Sequence, residues 1–326
     1  MSVPGANAPD LSVRVAGVPF SNPVIAASGT FGYGTEYSRV IDVASLGGIC
    51  SKGLTLESRP GNAGPRLVET PSGLMNSIGL ENPGIPHFIE HELKTMLSLG
   101  PTVIANLSGS TVESYAEGAA LLDATDVPMI ELNISCPNVK AGGMAWGLDP
   151  AAAATVTAAV RERTKKPLVV KLSPNAPNVV DVAKAAVASG ADALSLVNTF
   201  QAFCVDVERG RPVFENVTAG LAGPAIRPIA LRLLRDVALG VPECDPSRDP
   251  ERGGTGTFVP LIGLGGIATW RDAAEFVMTG ATAVQVGTST FADPRAMSRI
   301  VEGLSAFMAR KGYGRIADMR GVAVFR

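Results

Sequence analysis

Paired cysteines are missing from this sequence. Its four cysteines, Cys50, Cys136, Cys204 and Cys244, lie far apart with no CxxC among them. That spacing argues against a disulfide scaffold, a zinc site and an iron-sulfur cluster carried by the chain itself. Reduced thiols in a cytoplasmic protein are the expectation. Histidine is scarcer still, with two residues, and charge is thin, at 18% Asp, Glu, Lys and Arg with a formal net charge of -2. Without an excess of Lys and Arg the surface cannot grip a phosphate backbone, so nucleic-acid binding is set aside. No run reaches the roughly 18 apolar residues of a membrane span. The opening MSVPGANAPDLSVRVAGVPF shows no basic start followed by an apolar stretch. A soluble, unanchored protein is expected.

What is present is apolar and regular. Hydrophobic residues make up 46% of 326 positions, enough for one large barrel or two ordinary domains. Short β-branched runs at 23–27, 48–52, 102–107, 129–134, 168–172, 193–197, 259–264 and 283–286 read as strands. Between them, 112–123, 150–164, 179–189, 224–237, 269–278 and 294–310 carry helical spacing, several opening at Pro, Thr or Asp. Strand and helix in alternation predict an α/β protein with a parallel sheet, and eight strands close a (β/α)8 barrel. An open doubly wound sheet would show its glycine fingerprint at the first strand, whereas here glycines cluster after the seventh and eighth. The expectation is one barrel domain over 1–326, with residues 11–20 as a β-hairpin capping its floor. The polar, Pro/Gly-rich ECDPSRDPERGGTGT at 243–257 reads as a mobile, solvated surface loop.

Barrel enzymes place their chemistry at the carboxyl ends of the strands. Those ends read Ser28, Lys52, Asn106, Asn133 with Cys136, Lys171, Asn198 with Thr199, Gly265 with Gly266, and Gly287 with Thr288. GLGGI at 263–267 and VGTS at 286–289 stand where barrels build phosphate sites from backbone N–H groups, although each alone would also serve as a tight turn. Lys52 and Lys171 each end an apolar strand. They point to an electron-rich ligand, to a Schiff-base aldolase or lyase using Lys171, or to side chains that reach outward to solvent. Cys136, in NISCPN at 133–138, lies on a loop with Lys140 and two glycines close behind, and is either a reactive thiol or packing. HFIEH at 87–91 has the zinc-ligand spacing, but no third ligand stands out and a surface helix turn accounts for it.

These residues sit in ordered motifs: SKGLT at 51–55, NSIGLEN at 76–82, NISCPN, KLSPN at 171–175, NTF at 198–200, GLAGPAIRP at 220–228, GLGGI and VGTS. Over nearly its whole length the chain resembles the class 1 dihydroorotate dehydrogenases. The cysteine in NISCPN is the class 1 feature, and GMAWGLDP at 143–150 with GLAGPAIRP resembles the B-type subgroup. The resemblance implies FMN held by Ser28, Lys52, Gly53, Asn106, Asn133, Lys171, Val197, Gly223, Gly265, Gly266, Gly287 and Thr288. It implies dihydroorotate held by Lys52, Asn76, Ser77, Ile78, Gly79, Leu80, Asn133, Asn198 and Thr199, with Asn138 close by. Cys136 would be the proton-abstracting base, with Lys52 beside it in the catalytic set and no metal. Electrons would leave through a partner subunit bearing FAD and an iron-sulfur cluster toward NAD, in a heterotetramer built on a homodimer of this chain. Two departures stand out: Ala222 where the family commonly has serine, and the long 243–257 segment. Another FMN barrel reducing pyrimidines is the nearest alternative, and a barrel that only binds a phosphate ligand is a third.

Overall fold

The computed structural model describes residues 8–135 and 146–325. Eight parallel strands close into a barrel: β1 (Val24–Ala26), β2 (Gly48–Cys50), β3 (Thr102–Leu107), β4 (Met129–Asn133), β5 (Leu168–Lys171), β6 (Ala193–Leu196), β7 (Leu261–Leu264) and β8 (Ala281–Val286). Each pairs with the next in chain order, and β8 returns to β1. Every strand lies on one of the apolar runs. Those runs do not alternate because both faces are covered, the outer by helices and the inner by the barrel's own side chains. Nearly every strand residue is buried.

The helices follow as the start signals indicate. Val112–Asp123 opens on a Thr111/Ser114 capping box and Trp270–Thr279 on a Thr269/Asp272 capping box. The Asp149 carboxylate accepts from Ala152 N–H ahead of Pro150–Arg161, and Asn178 caps Val179–Ala188. The stretch read as one helix from 224 begins as a tight turn, Pro224–Ile226, and continues as Arg227–Gly240. Ala296–Lys311 completes the ring. Among the described residues, no helix is long and apolar enough to cross a membrane. The hairpin of Val13–Val15 and Val18–Phe20 lies under the floor, where Phe20 packs against Gly48 and Pro19 O accepts from Thr102 Oγ1 at 2.8 Å.

Three features differ from the sequence reading or add to it. An antiparallel sheet of Phe200–Phe203, Thr218–Ala222, Gly73–Asn76 and Leu67–Thr70 contributes to the cavity described below and packs around Met75, Phe214 and Ala219. A helical stretch runs from Ile85 to Ser98, with both histidines exposed and their rings 4.3 Å apart. Residues 243–252 are not the solvated strip expected. They form three short turns, Pro242–Cys244, Pro246–Arg248 and Pro250–Arg252, with the Asp245 and Asp249 side chains capping the last two. The physical reason is burial: Cys244 and Pro246 point inward, and Asp249 forms an ion pair with Arg320, which is 1% exposed. Only 253–257 is mostly solvent-facing.

Candidate active site

The strand ends and the antiparallel sheet enclose a cavity of about 710 Å³, a size suited to a cofactor together with a small substrate. One half is made of main chain. Gly265 and Gly266 follow β7, and Gly287 and Thr288 follow β8, so the backbone of both turns lines the cavity with little side chain in the way. Glycine is required at the first turn. Gly266 has φ +75°, and a Cβ there would lie 2.8 Å from both Arg227 Cβ and Gly223 O. Gly223, directly beside Gly266, has φ +97° and passes so near Gly73 that a Cβ would fall 2.6 Å from its Cα. Ser289 Oγ, in the wall beside these turns, is buried without a hydrogen-bond partner among the described residues.

The other half is made of side chains. Lys52, Asn133 and Lys171 line it from β2, β4 and β5, and Asn198 with Thr199 from the end of β6, beside Val197. Ser28 and Gly53 complete the wall below. Beneath them sits a residue the sequence reading passed over. Glu131, in the middle of β4, is fully buried and gathers groups from five other strands. Asn106 Nδ2 donates to it at 2.6 Å, Gln285 Nε2 at 2.7 Å, Ser195 Oγ at 2.8 Å and Cys50 Sγ at 3.4 Å, while Lys171 Nζ stands 3.6 Å away. Burial pushes the carboxyl up, but the Lys171 ammonium and the donors from Ser195, Gln285 and Asn106 together hold it below the usual carboxylate value. Burial and the Glu131 charge push the Cys50 thiol well above its ordinary value, so it acts as a donor. The one signal for Glu131 was a charged residue inside an apolar strand, two positions before Asn133 and so on the same side of the strand.

Of the NSIGLEN residues, Asn76, Ile78, Gly79 and Leu80 line the cavity, while Ser77 is buried and takes a hydrogen bond from Asn62 Nδ2 at 3.1 Å. Asn106 also stands behind the wall, bonded to Glu131 and to Asn133. Leu80 has φ +56°, unusual for a branched side chain. Asn82, which sequence reasoning did not single out, braces that turn: its Nδ2 donates to Leu80 O at 2.7 Å and to Thr55 Oγ1 at 2.8 Å, and its Oδ1 accepts from Thr55 N and Gly84 N. Cys136 and Asn138 lie outside the described residues.

Fold and cavity together define a β/α barrel whose cavity offers backbone amides at one end and cationic and amide side chains at the other. Comparison with known proteins narrows the class. The family model for dihydroorotate dehydrogenase matches residues 10–308, and the chain belongs to that family. Among its relatives, a protein of Petrotoga mobilis is 48% identical over 313 residues, covering 96% of this chain and 99% of its own. One of Citrifermentans bemidjiense is 50% identical over 314 residues, covering 96% and 98%, and one of Geotalea uraniireducens is 48% identical over 317, covering 97% and 99%. All three are named dihydroorotate dehydrogenase B (NAD(+)), catalytic subunit.

Proposed function

We propose that this chain oxidises (S)-dihydroorotate to orotate, a step of pyrimidine synthesis leading to UMP, as the FMN-bearing catalytic subunit of a B-type enzyme. The observation that carries the reading is the divided cavity, whose two ends match the two ends of FMN. The glycine turns with the orphaned Ser289 hydroxyl suit its phosphate. Lys171 and Gln285 Oε1, which has no hydrogen-bond partner among the described residues, suit a flat ring bearing both acceptors and an N–H. The proposed FMN contacts are those the family resemblance implies, with Asn106 acting from behind Asn133. The substrate, a ring of amides with a carboxylate, would meet asparagines that donate and accept, and the Lys52 charge.

The reaction removes two hydrogens from adjacent carbons. FMN, held by the residues named above, would supply the two-electron acceptor for the hydride that leaves C6. Cys136 takes the other from C5 as a proton, so two C–H bonds break and a C=C bond forms. A thiol serves as that base when its surroundings stabilise the thiolate, and the loop bearing it would exclude water by closing over the substrate. Lys52 and the asparagines hold the ring in register. Electrons then pass to NAD through a partner subunit carrying FAD and an iron-sulfur cluster, since no dinucleotide GxGxxG motif opens a strand–helix unit in this chain. We further propose a homodimer within a heterotetramer, in the cytoplasm.

An absorbance spectrum of the purified chain tests the cofactor: flavin bands are expected, and a colourless protein that takes up no added FMN overturns the reading. Cys136→Ala should keep FMN and lose most dihydroorotate oxidation, whereas unchanged turnover at neutral pH removes Cys136 as base. Cys136→Ser should be slow at neutral pH and recover as pH rises, a hydroxyl being the weaker acid. The chain alone should be reduced by dihydroorotate yet reduce NAD poorly. Rapid NAD reduction by the lone chain refutes the need for a partner subunit, and rapid fumarate reduction moves the chain to the A type.

A further inference from the structure

The buried carboxylate under the cavity has partners on β2, β3, β5, β6 and β8, so it lies inside the barrel rather than on one wall. Its hydrogen bonds are directional. Because Asn106 spends its Nδ2 on Glu131, its Oδ1 is turned to accept from Asn133 Nδ2 at 3.2 Å. Asn133 Oδ1 in turn accepts from Ser135 Oγ at 2.9 Å and Ser135 N at 3.2 Å, and Ser135 Oγ accepts from Asn198 Nδ2 at 2.9 Å. One carboxylate thus fixes which atom is donor and which acceptor along a chain that passes through Ser135, next to Cys136 in sequence, to the Asn198 amide. The same carboxylate is the ion-pair partner of Lys171, itself only 4% exposed yet part of the cavity wall.

We propose that Glu131 is a positioning residue for the redox reaction: it pins the Lys171 ammonium and orients Asn106 at the ring end of the cavity, and so sets the balance between the two oxidation states of the bound flavin. The proposal rests on the flavin reading above. Reduction adds negative charge to the ring, so the reduced form responds to the charge of the Lys171–Glu131 pair and the oxidised form much less. With Glu131 in place the ammonium is shared between carboxylate and ring. Without it, the ammonium is left to interact with the reduced ring unopposed by the carboxylate.

Glutamine is the informative substitution. In Glu131→Gln the new side-chain amide can keep its oxygen toward Asn106 and turn its NH2 toward Ser195 and Gln285, whose Oε1 is unpartnered among the described residues and can turn to accept. Charge is then removed while the direction of the amide chain is kept.

The test uses full-length protein loaded with FMN, comparing the affinities for reduced and oxidised FMN through the midpoint potential of the bound flavin. Glu131→Gln should raise the reduced-to-oxidised affinity ratio by about tenfold, the scale of one charge removed at short range in a site of intermediate dielectric. Glu131→Asp, which keeps the charge, should hold the ratio within about twofold of wild type. A barrel merely loosened by the substitution weakens both states alike. An unmoved ratio in Glu131→Gln, or one that favours the oxidised form, therefore overturns the proposal. If the single variant does not fold, Glu131→Gln/Lys171→Met leaves no unpaired buried charge. There the ratio should fall below wild type because the ammonium is gone, and a wild-type ratio overturns the proposal. A wild-type chain that takes up no FMN sinks the flavin reading itself, whereas normal FMN uptake with an unmoved ratio sinks only the role of Glu131.

Discussion

The two halves of the cavity are built by opposite means. Around β7 and β8 the wall is main chain, with Gly265, Gly266, Gly287 and Thr288 bringing peptide groups to the surface. Around β2 to β6 it is side chain, with Lys52, Asn133, Lys171 and Asn198 in the wall and Lys171 paired with a buried carboxylate that reaches Asn133 through Asn106. The glycine half depends on what is absent, since any side chain on a left-handed glycine both strains the backbone and fills space. The side-chain half depends on a network that must be satisfied in full, because a buried polar group left without a partner costs about 1–3 kcal/mol. The first half is rigid by geometry and the second by mutual hydrogen bonding, so they should break differently.

The sharpest way to break the glycine half is Gly266→Ala. The added Cβ meets both Arg227 Cβ and Gly223 O at 2.8 Å, with φ at +75°. Strain of about 1–3 kcal/mol, together with displacement of the turn, should leave the purified protein with little bound flavin, at least about tenfold weaker than wild type. The side-chain half would be intact, so riboflavin, which lacks the phosphate, should bind the variant and the wild type alike. Counting FMN per chain and titrating riboflavin checks both statements, and full FMN occupancy would show that this turn does not shape the phosphate end.

Breaking the side-chain half should show in stability and in its pH dependence. Glu131→Gln leaves the Lys171 ammonium unpaired and buried, which should cost about 3 kcal/mol at pH 7. The sign with pH follows from the folded carboxyl lying below its ordinary value of 4.5. A depressed carboxyl contributes stability that is complete above its unfolded value and is lost as pH falls through the folded one. Wild type should therefore lose its advantage over the glutamine variant below about pH 4.5, the usual carboxyl value. Urea unfolding of both proteins between pH 7 and pH 3 tests this, and a gap that stays constant would mean that Glu131 titrates alike in both states.

The same contrast explains what the sequence made legible. Each barrel strand announced itself as a short β-branched run, and the glycine half was readable because glycine signals its reason locally, in GLGGI and VGTS. Glu131 was not readable, because it sits inside the run 129–134 and its partners Cys50, Asn106, Lys171, Ser195 and Gln285 come from five other strands, with no fixed spacing among them. The antiparallel sheet escaped for a related reason: Asn76 bonds to Gly220 across 144 positions, and strands such as GLMN and FQAF are too short to alternate clearly. The 243–257 segment misled because its composition is that of a loop, while its order comes from Arg320, far along the chain. Cys136 was marked by its motif and family resemblance alone.

The smallest expected effect is the one that best separates the halves. Ser289 Oγ is buried beside the glycine turns and has no hydrogen-bond partner among the described residues. A hydroxyl inside the side-chain network, such as Ser195 bonded to Glu131, contributes to the fold whether or not a ligand is bound. Ser289 has no such partner, so Ser289→Ala removes only a desolvated group from the apoprotein and should leave its unfolding free energy unchanged or slightly higher. On the proposed FMN reading the comparison reverses, because the hydroxyl would then donate to the phosphate. One such bond is worth about 1 kcal/mol, so the variant should bind FMN about fivefold more weakly while binding riboflavin as wild type does. Apoprotein melts combined with the two titrations decide the matter. A destabilised apoprotein would mean that the hydroxyl serves the fold, and an equal loss for riboflavin would mean that it serves the ring end instead.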